Sequence, residues 1–297
     1  MPAASTIKAL LLLGIISLLT GCLGGGGGGS STNDAPPVTG PTPEPVANLA
    51  FMSAAGIGVS DLDAAVALYT DGMGMREVAR LTRDNRIEVV LESADARGSK
   101  IILMDFTDGV GRNFQQNPGK LVFYARAPSA FAADFTSAGG RITVPPAAQP
   151  AFGNVVVGFG RDLDNNLIEI VGEPAATESF FGAFGIGVSD LENARDFYVD
   201  ILGFEQSQFL QIPGQYDEYI LTSPVPGSSA VVLMNWTNGS VRNYTDNPVK
   251  LQLDVAYPQA MTADIQDAGG DVSREPAASS EADLNQALLA YASDADG

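Results

Sequence analysis

Residues 56–69, GIGVSDLDAAVALY, return at 185–198 as GIGVSDLENARDFY. IILMDFTDGVGRNFQQNPGKL (101–121) is answered by VVLMNWTNGSVRNYTDNPVKL (231–251), and FAADFTSAGGRI (131–142) by MTADIQDAGGDV (261–272). The copies lie about 130 residues apart, too far for the roughly 20–50-residue units of a solenoid. A chain written twice at this spacing folds as two homologous tandem domains. The junction falls near Pro174–Ser179, giving expected domains at 47–174 and 175–297.

Each copy carries the same local pattern. An apolar segment (Phe51–Val59, Phe180–Val188) runs into Ser-Asp-Leu and a stretch of helical period, with Leu62, Val66 and Tyr69 on one face and Leu191, Ala194 and Tyr198 on the other copy's. Ser60 and Ser189 stand where N-caps are expected, with Asp63 and Glu192 three residues on as in a capping box. Strand patterns follow at Arg76–Leu81, Arg86–Glu92 and Lys100–Phe106, completing a β-α-β-β-β unit. The order then repeats. A strand at Gly119–Arg126 leads to a helix at Pro128–Ala138 closed by Gly139-Gly140, then strands at Arg141–Val144, Phe152–Phe159 and Asn166–Val171.

The N-terminus reads as an export signal. Lys8 precedes the apolar run of residues 9–19, which is short for a membrane span, and the run ends in Leu-Thr-Gly-Cys at 19–22. Residues 1–21 resemble a bacterial lipoprotein signal peptide, with Cys22, the only cysteine, as the lipidated first residue of the mature chain. Residues 22–46 add a glycine run and a Pro-rich stretch, a flexible tether that buries no core. The protein is therefore expected to be exported and held to the lipid bilayer through acylated Cys22. Leu23 after the cysteine points to the outer membrane, facing the periplasm, if the host has two membranes.

Sixteen basic residues against 35 acidic ones give a formal net charge of −19. That excess excludes nucleic acid as a partner, because phosphate backbones select basic faces.

Two β-α-β-β-β units per domain, the VSDL helix start, the AGG helix stop and the RDLDNNLIEIVGEP strand (161–174) together resemble the vicinal oxygen chelate (VOC) superfamily. This group takes in glyoxalase, bleomycin-resistance and extradiol dioxygenase proteins. The resemblance implies an α+β fold of two tandem domains, each built of paired units that form a curved sheet cup. It also implies metal-ligand positions on the first, fifth and last strands. Here those positions read Ala54, Lys120 and Glu169 in the first copy, and Ala183 and Lys250 in the second. The chain has no histidine at all. Alanine cannot ligate and an ammonium repels a divalent ion, so no metal and no other cofactor is expected.

Lys120 has three readings that the sequence leaves open. It pairs with Glu169 across the cup, it stays available to an anionic or carbonyl ligand, or it acts as a catalytic base or imine former, for which no accompanying catalytic group is visible. Lys250 shows no acid partner in the sequence. Arg112 and Arg242 recur in an Arg-Asn-aromatic-x-x-Asn-Pro loop before each lysine. That loop is either locked by asparagine hydrogen bonds and proline, or forms a pocket lip with Trp236, Tyr216 and Tyr219 near it. The ligand-binding candidates are thus Lys120, Glu169, Arg112, Lys250 and Arg242. The second copy stops at SDADG where NLIEI would begin, so it is expected to lack its closing strand and to continue naturally with a sequence close to N-L-I-E.

The favoured function is a membrane-tethered, metal-free protein that binds a small molecule in its cup. The alternatives are a glyoxalase-like lyase or dioxygenase-type enzyme with a non-standard site, and a structural or assembly domain of the cell envelope. Pairing within the chain or as a homodimer stays open.

Overall fold

The computed structural model describes residues 48–150, 153–245, 247–278, 288–294 and 296. The signal, Cys22, the whole of the tether and Phe152 lie outside the described residues.

The first repeat runs β1 (Phe51–Gly58), α1 (Leu62–Ala67), β2 (Met75–Thr82), β3 (Arg86–Ser93), β4 (Lys100–Phe106), β5 (Lys120–Ala125), α2 (Pro128–Ser137), β6 (Arg141–Gln149), β7 (Val155–Arg161) and β8 (Leu167–Gly172). The second runs β9 (Phe180–Gly187), α3 (Leu191–Asp196), β10 (Glu205–Ile212), β11 (Tyr216–Thr222), β12 (Ala230–Trp236), β13 (Val249–Asp254), α4 (Pro258–Asp267), β14 (Asp271–Ala278) and β15 (Leu288–Ser293). Most elements that the sequence pattern predicts are present near the predicted bounds, but β6 runs on past Val144 to Gln149, and β7 spans Val155–Arg161 rather than ending at Phe159. Helix α1 passes into a π-helical turn at Leu68–Gly72, and α3 into one at Phe197–Ile201.

The helix starts differ from expectation. Asp61, not Ser60, is the N-cap of α1, its side chain accepting from Ala64 N, and Asp190 does the same for α3 through Asn193 N. The serines are used otherwise: the Ser60 N–H donates to Asp164, and Ser189 donates from both its backbone and hydroxyl to Asp296. Both aspartates belong to the D-x-D segment that closes each repeat's last turn. Its first members, Asp162 and Asp294, accept from the hydroxyls of Tyr69 and Tyr198 at the helix ends, at 2.9 and 3.3 Å. The motif is a clamp between helix and sheet.

The cups are not built within each repeat. One sheet has the order β13-β1-β4-β3-β2 and the other β10-β11-β12-β9-β5-β8-β7-β6. The first unit of repeat one thus pairs with β13 of repeat two, and the second unit of repeat one pairs with the first unit of repeat two. Antiparallel seams β1·β13 and β5·β9 make these junctions. A single apolar core spans both repeats, with Leu68, Tyr69, Phe123 and Phe135 beside Phe181, Phe184, Phe204 and Leu233. The helices pack on this side, leaving the opposite sheet faces to line the cups. β14 and β15 form a separate two-stranded sheet, and among the described residues no strand lies between β13 and β15 as β8 lies between β5 and β7.

Glycines permit the seams. A Cβ on Gly119 would lie 2.0 Å from the Gly185 carbonyl oxygen of the other repeat. Gly119→Ala is therefore expected to cost about 1–3 kcal/mol, the usual penalty for forcing extra volume into a packed contact. Gly111→Ala, which would meet nothing within 4 Å, should change stability by no more than about 0.5 kcal/mol. Urea midpoints of the two variants test the seam.

Candidate functional site

The exchange of halves decides which residues meet. Strand pairing sets Lys120 opposite Gly185, Val122 opposite Glu169 and Ala183, and Glu218 opposite Met234, so all of these point into the first cup. In the same way Gly56 is opposite Lys250, and Glu88 is opposite Met104, in the second. Ala54 consequently does not share a site with Lys120, as expected from the sequence, but belongs with Lys250. The glycines of the two GIG segments make room: a Cβ on Gly56 would strike Lys250 Cγ at 2.6 Å, and one on Gly185 would strike Lys120 Cγ at 2.6 Å. Each repeat carries the slot for the other's lysine.

In the first cup Lys120 Nζ lies 2.9 Å from Glu169 Oε2 and 2.8 Å from Glu218 Oε2, and all three side chains are fully buried. Glu169 was legible as a partner; Glu218 was missed. Its signal was the acid kept at the same place in both copies of one strand, Glu88 in RIEVVLES and Glu218 in YDEYILT. Burial opposes the Lys120 charge, but Glu169 and then Glu218 overcome it and hold the ammonium well above the ordinary lysine value. One cation cannot neutralise two carboxylates. Burial raises the Glu218 carboxyl above its ordinary value, Lys120 pulls against this, and Glu169 adds to it. Glu169 Oε1 and Glu218 Oε1 lack hydrogen-bond partners among the described residues. Around this cluster Val122, Ala183, Tyr216, Ile220, Val232 and Met234 fill the cup with apolar surface. Tyr216 and Trp236 pack edge to face there, whereas Tyr219 faces the other side of the sheet and donates to Glu192.

The second cup has the opposite balance. Lys250, for which the sequence offered no partner, donates to Glu88 Oε1 at 2.5 Å, and its side chain keeps 26% of its surface exposed. Arg86 Nε also reaches Glu88 Oε1 at 2.7 Å, and Arg83 Nε reaches Oε2 at 3.2 Å. Arg86 occupies the place that Tyr216 holds in the first cup. Burial works to raise the Glu88 carboxyl, but Lys250 and Arg86 bring it down to about 2. Burial lowers the Lys250 ammonium from the ordinary lysine value, with Glu88 opposing and Arg86 and Arg83 reinforcing the shift. The floor is apolar, made by Ala54, Ile102 and Met104 with Val90 and Phe106 beside them.

The Arg-Asn loops follow β4 and β12 and pack back on the aromatic residue that ends each strand. Asn113 Oδ1 accepts from Gln115 N, Asn117 Oδ1 from Gly119 N, and Asn243 Oδ1 from Thr245 N, so asparagine locks both copies. Arg112 stacks over Phe106 with Cζ 3.8 Å from the ring centre and is held by both oxygens of Asp108 at 2.7 Å. Arg242 stacks on Trp236 at the same 3.8 Å.

A divalent metal does not fit these residues. In the first cup the ammonium itself lies between the two carboxylates, and in the second one carboxylate is already shared by three cationic side chains. Among the described residues no group of three or more His, Cys, Asp or Glu is arranged to hold a metal.

Three substitutions test this electrostatic assignment. Lys120→Met, close in shape but uncharged, should destabilise the fold by about 3–5 kcal/mol at neutral pH, because it strands buried carboxylates. Glu218→Gln should instead raise the thermal midpoint at pH 7. A carboxyl raised on folding penalises the folded state only once it ionises, so the gain should shrink as pH falls and be gone near pH 4.5. Glu88 has the reverse linkage: its contribution is complete above about pH 4.5 and is lost as pH falls toward about 2. Acid-unfolding curves of Glu88→Gln should therefore be flatter across that window.

Comparison with known proteins agrees with the cups and the element order. Residues 51–170 match the model of the Glyoxalase/Bleomycin resistance protein/Dioxygenase superfamily. Among solved structures, a point mutant of glyoxalase I from Zea mays is similar with a TM-score of 0.69 and 20% identity, covering 84% of this chain and 91% of that one. A second point mutant of the same enzyme gives 0.69, and glyoxalase I itself 0.67, both also at 20% identity and 84% coverage of this chain, with 92% and 90% of theirs. Such coverage requires both repeats, so the likeness extends to the exchanged assembly; at this identity it is a likeness of fold. No curated protein matches the sequence. The segment from Phe51 to Ile170 is accordingly similar to domains of the Glyoxalase/Bleomycin resistance protein/Dioxygenase superfamily, and the chain around it has a fold like that of glyoxalase I.

Proposed function

We propose that the chain is a metal-free VOC-fold binding protein, tethered to a membrane through Cys22, whose small-molecule ligand is an anion held in the second cup. The observation that carries this reading is the contrast between the two lysines. Lys120 is sealed among side chains that fill its cup, so of its three sequence readings the ion pair suits it. Lys250 is part-exposed above an apolar floor, where it and Arg86 share a single carboxylate oxygen. A carboxylate or phosphate entering there would meet cations that Glu88 alone does not satisfy, and a charged donor pair strengthens such contacts. The apolar floor would take the ligand's hydrocarbon part.

The tether follows from the signal and the Gly/Pro-rich segment. Among the described residues no helix is long and apolar enough to cross a membrane, so an acyl chain on Cys22 would supply the attachment. With Leu23 following, the outer membrane facing the periplasm is the proposed location in a two-membrane host.

A thermal-shift screen of residues 47–297 against carboxylates, phosphates and their aromatic derivatives tests the reading. A ligand present at 100 times its Kd should add roughly 2.7 kcal/mol, visible as a raised midpoint. The shift should vanish in Lys250→Met. Absence of any shift in the parent protein, or a shift that survives Lys250→Met and Arg86→Gln, would remove the second cup as the binding site.

A further inference from the structure

The two Arg-Asn loops share a backbone course but differ in charge. In the first, Asp108 accepts from Val110 N and grips Arg112 with both oxygens. In the second, Asn238 stands at the corresponding position. It keeps the turn by accepting from Ser240 N at 3.0 Å, but it brings no charge to Arg242. Arg242 nevertheless keeps the posture of its counterpart, stacked 3.8 Å over an aromatic ring. Its Nε is buried without a hydrogen-bond partner among the described residues. A guanidinium fixed in place with an unused buried donor is organised for an acceptor that the protein does not itself provide.

Its neighbours point the same way. Trp236 packs beside Val155, Val157 and Phe159 of β7, which brings the loop to the strand that ends at Arg161. Arg161 is paired directly across the sheet with Arg141 of β6. Like charges in that relation repel and cost stability unless something anionic lies between them. Arg161 donates to the Asn165 carbonyl at 2.9 Å, and no carboxylate forms an ion pair with Arg141, Arg161 or Arg242 among the described residues. Burial, then the charges of Arg242 and Arg141, press Arg161 below the ordinary arginine value, with Asp162 as the opposing charge. Asp162 is itself committed to Tyr69 and Asn166.

We propose that Arg242, Arg161 and Arg141, at the Trp236 rim of the first cup, form a binding site for a small oxyanion, a phosphate or a carboxylate. The site is separate from Lys250. A loop and two neighbouring strands supply its three guanidiniums, and the position held by Asp108 in the first repeat is Asn238 in the second.

Trp236 is the only tryptophan, so its fluorescence reports directly on the site. Inorganic phosphate, phenyl phosphate and benzoate would be titrated separately into the intact protein at low salt. A saturable change with phosphate and phenyl phosphate assigns a phosphate site, and one with benzoate as well assigns a general oxyanion site. Asn238→Asp, which supplies the carboxylate that Arg112 already has, should weaken binding by about tenfold or more, as should Arg242→Gln. Lys250→Met should leave the titration unchanged, so failure here and failure of the second-cup reading are distinguishable. Circular dichroism confirms that each variant is folded, and Arg161→Gln serves if either loop variant is not. No saturable change with any probe, or unchanged affinity in the folded Asn238→Asp and Arg242→Gln variants, would overturn the proposal.

Discussion

The seams β1·β13 and β5·β9 carry the whole arrangement, because they place each lysine beside a carboxylate from the other repeat. Lys120 meets Glu218 across 98 positions of sequence and Lys250 meets Glu88 across 162. Backbone pairing, the glycine slots and the ion pairs act at the same junctions. A cup here is a contract between repeats, and neither sheet is completed by one repeat alone. The continuous apolar core on the helix side reinforces this, since its aromatic members come from both copies.

From that common frame the two cups diverge by a handful of side chains. Tyr216 replaces Arg86 at one position, and Glu169 adds a second acid to the first cup. The result is one ammonium among two carboxylates in a sealed apolar setting, against one carboxylate oxygen shared by Lys250 and Arg86 in a half-open one. Low dielectric makes the first arrangement costly to disturb and hard to enter. The second leaves the Lys250 side chain part-exposed.

Much of this was legible in the sequence. Strands and helices follow from apolar period and from the Gly-Gly stops, and the lysine positions follow from counting back from those stops. The pairing of Lys120 with Glu169 was readable because both lie in one repeat. The exchange of halves was not, since identical local units satisfy either partnering and only the long-range seams choose. The N-cap was misassigned because Ser60 and Asp61 are adjacent acceptors, and the competing demand of Asp164 on the Ser60 N–H is a tertiary fact. Glu88 and Glu218 left a faint trace as the acid kept in a duplicated strand. The loss of a counter-charge at Asn238 was equally visible on the page, but it gained meaning only once Arg112 was seen gripping Asp108.

The duplication within one chain also frees the sites from symmetry. In a homodimer of a single repeat, every substitution would appear in both cups, and a residue good for sealing one would seal the other. Once the copies are joined, each position exists twice and is answerable to a different cup. Tyr216 can close one while Arg86 keeps its counterpart open, and Asp108 can quench one rim while Asn238 releases the other. Joining the copies turns a pair of obligatory twins into two independent parts: one cup is free to hold the molecule together while the other is free to vary.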